Sequence, residues 1–132
     1  MAPRATARRR TSLLEIALAF QTLTIFVQAV SAGLLLTSSY GETLHSAGAR
    51  VMYGASMLYV LAAALAWKPG GGPLLPVGHA SGFLALASLQ VALGIAHVPS
   101  VHVPLGVLMF GLSVLALARP RSTGTDAPGR VG

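Results

Sequence analysis

Sulfur chemistry and charge are what this sequence has least of. Its 132 residues contain no cysteine, which excludes disulfides, thiolate metal sites and thiol nucleophiles. Charged residues make up 9% of the chain, and only three of them are acidic. No carboxylate-bridged metal motif, no Ser/His/Asp arrangement and no phosphate-cradling glycine loop is visible. The segment "KPGGGP" at 68–73 lacks the lysine and hydroxyl context of a P-loop and reads as a flexible turn.

What the chain has instead is apolar surface. Hydrophobic residues account for 54%, with a mean hydropathy of +0.71, a balance outside that of soluble domains of this size. Four stretches, 14–36, 47–67, 77–98 and 102–118, approach the roughly 20 apolar residues that a spanning helix needs. The expected architecture is an all-α integral membrane four-helix bundle spanning residues 13–118. A basic arm (1–12) precedes it, and a Gly-, Pro- and polar-rich tail (119–132), expected to be disordered, follows. The first apolar run is longer than the core of a signal peptide, so it reads as a retained helix.

The net charge of +6 resides in the tails and short loops. It reads as membrane topology and lipid headgroup contact, with no nucleic-acid partner expected. Arg4, Arg8, Arg9 and Arg10, then Lys68 beside Trp67, then Arg119 and Arg121 fall on one side if the four helices alternate. The positive-inside rule makes that side cytoplasmic, giving a multi-pass cell-membrane protein with both termini inside. The loops holding Glu42 and "HVPSVHVP" then share the outer side.

The outward-to-inward helices begin alike, with "HSAGARVMYG" from His45 and "HVPLGVLMFG" from His102. Both read H-x6-M-[YF]-G, placing Met52 and Met109 seven residues after the histidines. The helices before them match loosely around Gln28 and Gln90. The chain is therefore read as two repeated helical hairpins, an arrangement in which functional sites often lie at the repeat interface.

The repeat brings one imidazole from each of two facing helices to one depth, a geometry suited to both axial positions of a haem iron. Gly48 and Gly106 fall about one turn along, where small residues leave room for a flat macrocycle, and Met52 and Met109 supply soft packing around it. The alternative is that the histidines are interfacial polar residues and that the glycines serve close helix packing. His97, five residues before His102, is a candidate replacement ligand or a partner to one. His79 belongs near the inner surface. Spacing also puts His79, Gln90 and His97 close to one helix face, and Gln21, Thr24, Gln28 and Ser31 on an inward face of the first helix.

Glu42 is open to three readings: a proton-transfer group, an anchor for a histidine Nδ1 proton, or an acidic loop residue. Arg50, offset by about 140° from His45 on a 3.6-residue helix, reads either as a partner for a haem propionate or Glu42, or as a residue snorkelling to headgroups.

A four-helix unit with histidines heading its second and fourth helices, each preceded by a glutamine-bearing helix, resembles one half of heme A synthase over residues 13 to 118. "ETLH", Glu42 to His45, is similar to that family's E-x-x-H element, whose glutamate is implicated in catalysis. The resemblance implies haem b held by His45 and His102, with a role in electron transfer or haem handling. It also implies that oxidoreductase activity requires a second half, which a homodimer or larger membrane complex would supply. The rival expectation is a cofactor-free membrane accessory or scaffolding subunit.

Overall fold

The computed structural model describes residues 12–119 and is all-α. Apart from Ser12 and Arg119, the basic arm and the tail lie outside the described residues. The helices are α1 (Leu13–Leu34), α2 (Gly41–Trp67), α3 (Leu75–Ile95) and α4 (Pro99–Ala118). All four are long and apolar enough to cross a membrane.

Local chemistry explains most helix starts. The Ser12 hydroxyl accepts from the Glu15 N–H (3.2 Å) and the Glu15 carboxylate accepts from the Ser12 N–H (2.8 Å), a reciprocal cap that opens α1. α3 and α4 carry Pro76 and Pro99 in their first turns, where a missing N–H removes no helix bond. α2 has no side-chain cap, but Glu42 in its first turn complements the helix dipole.

α2 starts six residues before the apolar stretch expected at 47–67. Hydropathy does not register the polar turn Gly41–Ser46, although nothing in it opposes helix formation. At 27 residues α2 is about 40 Å long, more than a hydrocarbon core of about 30 Å. It therefore extends past that core or tilts within it.

The helices form a square. α1 and α3 each pack against α2 and α4, while the diagonal pairs make no close backbone contact. Small residues line the interior, including Ala55, Ala62, Ala63, Ala80 and Ala87, which lets backbones approach closely. Burial is inverted relative to a water-soluble bundle. Gln21, Thr22, Thr24, Ser31, Ser56, Gln90 and Ser113 are buried, whereas leucines of every helix, valines of α1, α2 and α4 and two phenylalanines of α1 are exposed. A continuous apolar exterior over a polar-spotted core is the pattern that lipid selects.

Every seam of the square carries at least one interhelical hydrogen bond. Ser31 Oγ meets His45 Nδ1 across α1–α2 (2.9 Å), and Tyr53 meets Ser88 across α2–α3 (3.2 Å). His102 Nδ1 meets the Gln90 carbonyl across α3–α4 (3.0 Å), and Ser113 meets Thr22 across α4–α1 (2.6 Å). Aromatic contacts add Tyr59 on Phe83 (6.4 Å between centroids) and Phe26 on Phe110 (5.8 Å).

The turn between α1 and α2 depends on Gly41, whose missing side chain lets α2 start against the Leu34 carbonyl; a Cβ there would collide with backbone. Gly41→Ala is expected to cost about 1–3 kcal/mol. Gly33→Ala, with open space around it, serves as the neutral control in denaturant or thermal unfolding of the purified protein.

Candidate functional site

His45 and His102 come from the diagonal helices α2 and α4 and meet inside the square. Their ring centroids are 6.1 Å apart and their planes are inclined at 71°. Both rings are half-buried. Each sits about one turn inside its helix, because α2 and α4 both begin before the apolar stretches of the sequence.

Hydrogen bonds anchor the Nδ1 side of both rings. His102 Nδ1 lies 3.0 Å from the Gln90 carbonyl oxygen, which can only accept, so Nδ1 carries the proton and Nε2 keeps its lone pair. His45 Nδ1 lies 2.9 Å from Ser31 Oγ, and the Ser31 hydroxyl in turn donates to the Gln28 carbonyl at 3.0 Å. The Gln28 amide completes this frame. Its nitrogen donates to Ser31 Oγ (3.0 Å) and the His45 carbonyl (3.2 Å), and its oxygen accepts from the Ala49 N–H (2.8 Å). With His45 Nδ1–H donating to Ser31, every polar atom of this cluster is bonded and the His45 Nε2 lone pair is also left over. Imidazoles oriented through Nδ1 with a bare Nε2 are arranged as metal ligands commonly are.

The two glycines are explained by the same frame. A Cβ on Gly48 would lie 2.7 Å from a Gln28 amide atom, and one on Gly106 would lie 2.8 Å from the Gln90 Nε2. The space at each glycine is thus taken by a glutamine amide, and the repeat pairs Gln28 with Gly48 as it pairs Gln90 with Gly106. The halves differ in one respect: the Gln28 amide is fully bonded, whereas the Gln90 Oε1 is buried with no hydrogen-bond partner.

Met52 and Met109 are buried one layer deeper in the core. Glu42 and Arg50 are exposed, and neither is hydrogen-bonded to the imidazole pair. Glu42 lies in the first turn of α2 and not in a loop. His97 follows the end of α3 with φ 53°, is exposed, and turns its Nδ1 to the Ile95 carbonyl (2.9 Å), away from the pair. Of the polar face expected on α3, only Gln90 is buried; His79 is exposed at the opposite end of that helix. On α1, Gln21, Thr24 and Ser31 are buried and Gln28 is partly so, as the spacing predicts.

Sequence reasoning missed Ser56 and Ser113, both fully buried. The signal was present, since each lies eleven residues after its histidine and extends the repeat to H-x6-M-x-G-x-S.

Among the described residues no three His, Cys, Asp or Glu side chains converge. The site therefore offers two nitrogen donors, suited to an ion that arrives with its other ligands in place. No protein-family model matches the chain, and neither a curated protein nor a solved structure matches it.

The anchoring of His45 is testable by itself. A double-mutant cycle of Ser31→Ala and His45→Phe is expected to give a coupling energy of about 0.5–2 kcal/mol. Additive unfolding energies would mean that Ser31 does not hold the ring.

Proposed function

We propose that this chain is a membrane b-type haem-binding protein that carries one haem between His45 and His102, serving electron transfer or haem handling. The observation that supports it is the imidazole pair, two rings from diagonal helices with both Nδ1 atoms committed and both Nε2 atoms spare. Metal–imidazole bonds of about 2 Å on either side of one ion, with the ring radii added, bring two centroids to about the separation seen here. The unpartnered Gln90 Oε1 beside His102 is a further unused polar atom at that level.

In this reading His45 and His102 would hold the iron, and Ser31 and the Gln90 carbonyl orient them through Nδ1. Haem iron would supply one-electron chemistry there, which suits electron transfer. Met52 and Met109 close the apolar floor below the pair. Glu42 and Arg50 serve at its outer rim, for which their exposure leaves them available. Catalysis of the heme A synthase type would require a second copy to complete an eight-helix unit.

The glutamine amides over Gly48 and Gly106 favour a second reading, in which the histidine layer is helix-packing architecture in a cofactor-free accessory subunit. A reduced-minus-oxidised spectrum with haem quantified as the pyridine haemochrome separates the two. The expected result is about one b-type haem per chain, lost in the His45→Ala, His102→Ala double variant. A double variant that keeps the wild-type spectrum and stoichiometry would sink the haem reading, as would a colourless wild type that takes up no added haem.

Both termini are proposed to be cytoplasmic. The cysteine-free sequence allows a clean test with Ser39→Cys in the α1–α2 turn and Leu74→Cys before α3. An impermeant maleimide applied to intact cells is expected to label the first alone, and the reverse pattern would invert the topology.

A further inference from the structure

We infer that the middle of the bundle is a second binding site, built around Gln21, whose ligand is water or a comparably small neutral hydrogen-bonding molecule. Gln21 is 0% exposed, and neither its Nε2 nor its Oε1 has a hydrogen-bond partner. Buried amides of this kind are rare because each unmade bond carries a desolvation penalty.

Gln21 is surrounded at its own level by other neutral polar groups. Thr22, the next residue, bonds Ser113 of α4 at 2.6 Å, which fixes α1 and α4 at this depth. Ser31 and His45 are level, and Gln21 is ten residues before the first while Ser56 is eleven after the second. Both positions therefore lie about 15–17 Å below the imidazole layer. Ser113 lies equally far below His102. Ser56 and Ser113 are each 0% exposed, occupy equivalent repeat positions, and enter the same layer from diagonal helices.

The chemistry of the layer selects its ligand. Two serine hydroxyls, one threonine hydroxyl and one carboxamide carry no formal charge, so an ion buried here would have no counter-charge. The Thr22 and Ser56 hydroxyls donate to the Leu18 and Met52 carbonyls, so their oxygens offer acceptors, while the unpartnered Gln21 carboxamide offers both donors and an acceptor, which suits a molecule that uses both. Water bridging buried polar groups typically makes about three such bonds. Met52 and Met109 lie between the layer and the imidazoles, and both are buried. The site is therefore separate from the histidine pair and does not depend on haem.

The test uses the full chain in lipid nanodiscs. Gln21→Met keeps the length of the side chain and removes its hydrogen bonds. If Gln21 is bonded to water, the variant loses those bonds and its thermal midpoint is expected to fall by about 5 °C. If Gln21 sits dry, the substitution removes an unsatisfied amide, and an unchanged or raised midpoint overturns the inference. Water-edited solid-state NMR of wild-type protein with labelled glutamine decides the matter if the variant does not fold. A water cross-peak to the Gln21 side chain is expected, and its absence overturns the proposal whatever the variant does. Haem content is expected to be unchanged in Gln21→Met, so failure of the haem reading and failure of this one are distinguishable.

Discussion

The interhelical hydrogen bond is the interaction on which this bundle depends. In lipid, apolar side chains gain little by leaving their surroundings for one another, so leucines and valines do not specify which helix faces which are joined. Here every seam carries a polar contact, at Ser31–His45, Tyr53–Ser88, Gln90–His102 and Thr22–Ser113. Small residues set how closely the helices approach, and the polar contacts set their rotation and register. The exposed exterior is apolar on every helix because nothing but lipid has to be satisfied there.

Two of those contacts also fix the imidazoles, which ties fold to site. Ser31 and the Gln90 carbonyl cannot hold their helix pairs together without also turning both histidine rings so that Nδ1 faces outward from the pair. Packing and ligand presentation are thus one arrangement. A substitution at Ser31 is a structural change and a change at the site together, and only a coupling measurement separates them.

Much of the fold was legible in the sequence because length and hydropathy are enough to find four spans, and because the polar residues of α1 recur at helical spacing. The start of α2 was not, since its first turn is polar and hydropathy is blind to polar helix. The histidine pair was legible through its repetition 57 residues apart. Its anchoring was less so, because the acceptor for His102 is a backbone carbonyl, which every residue possesses and no motif records. His97 shared a calculated face with Gln90, but α3 ends at Ile95, and the reversal to positive φ carries the ring away from that face. The glycines read as positions kept small to leave room for a flat macrocycle. The neighbour that requires a small residue there is a glutamine amide on the adjacent helix, which only the three-dimensional arrangement reveals.

The repeat also shows where the two hairpins have diverged. His, Met, Gly and Ser recur at a constant offset of 57 along α2 and α4, whereas Gln28 and Gln90 are 62 apart and Gly48 and Gly106 are 58 apart. Relative to the constant 57, the glutamine is displaced by five residues and its glycine by one, yet each amide still fills the gap its glycine leaves. On the Gln28 side the shift permits a hydroxyl between amide and imidazole, and every bond is made. On the Gln90 side the backbone carbonyl takes the imidazole directly and the amide oxygen is left unused. Two helical hairpins with one plan have in this way produced two unlike imidazole environments, one backed by a serine hydroxyl and one by a peptide carbonyl. The two rings are therefore oriented by acceptors of different strength. Any ion held between the rings would be bound unequally from its two sides.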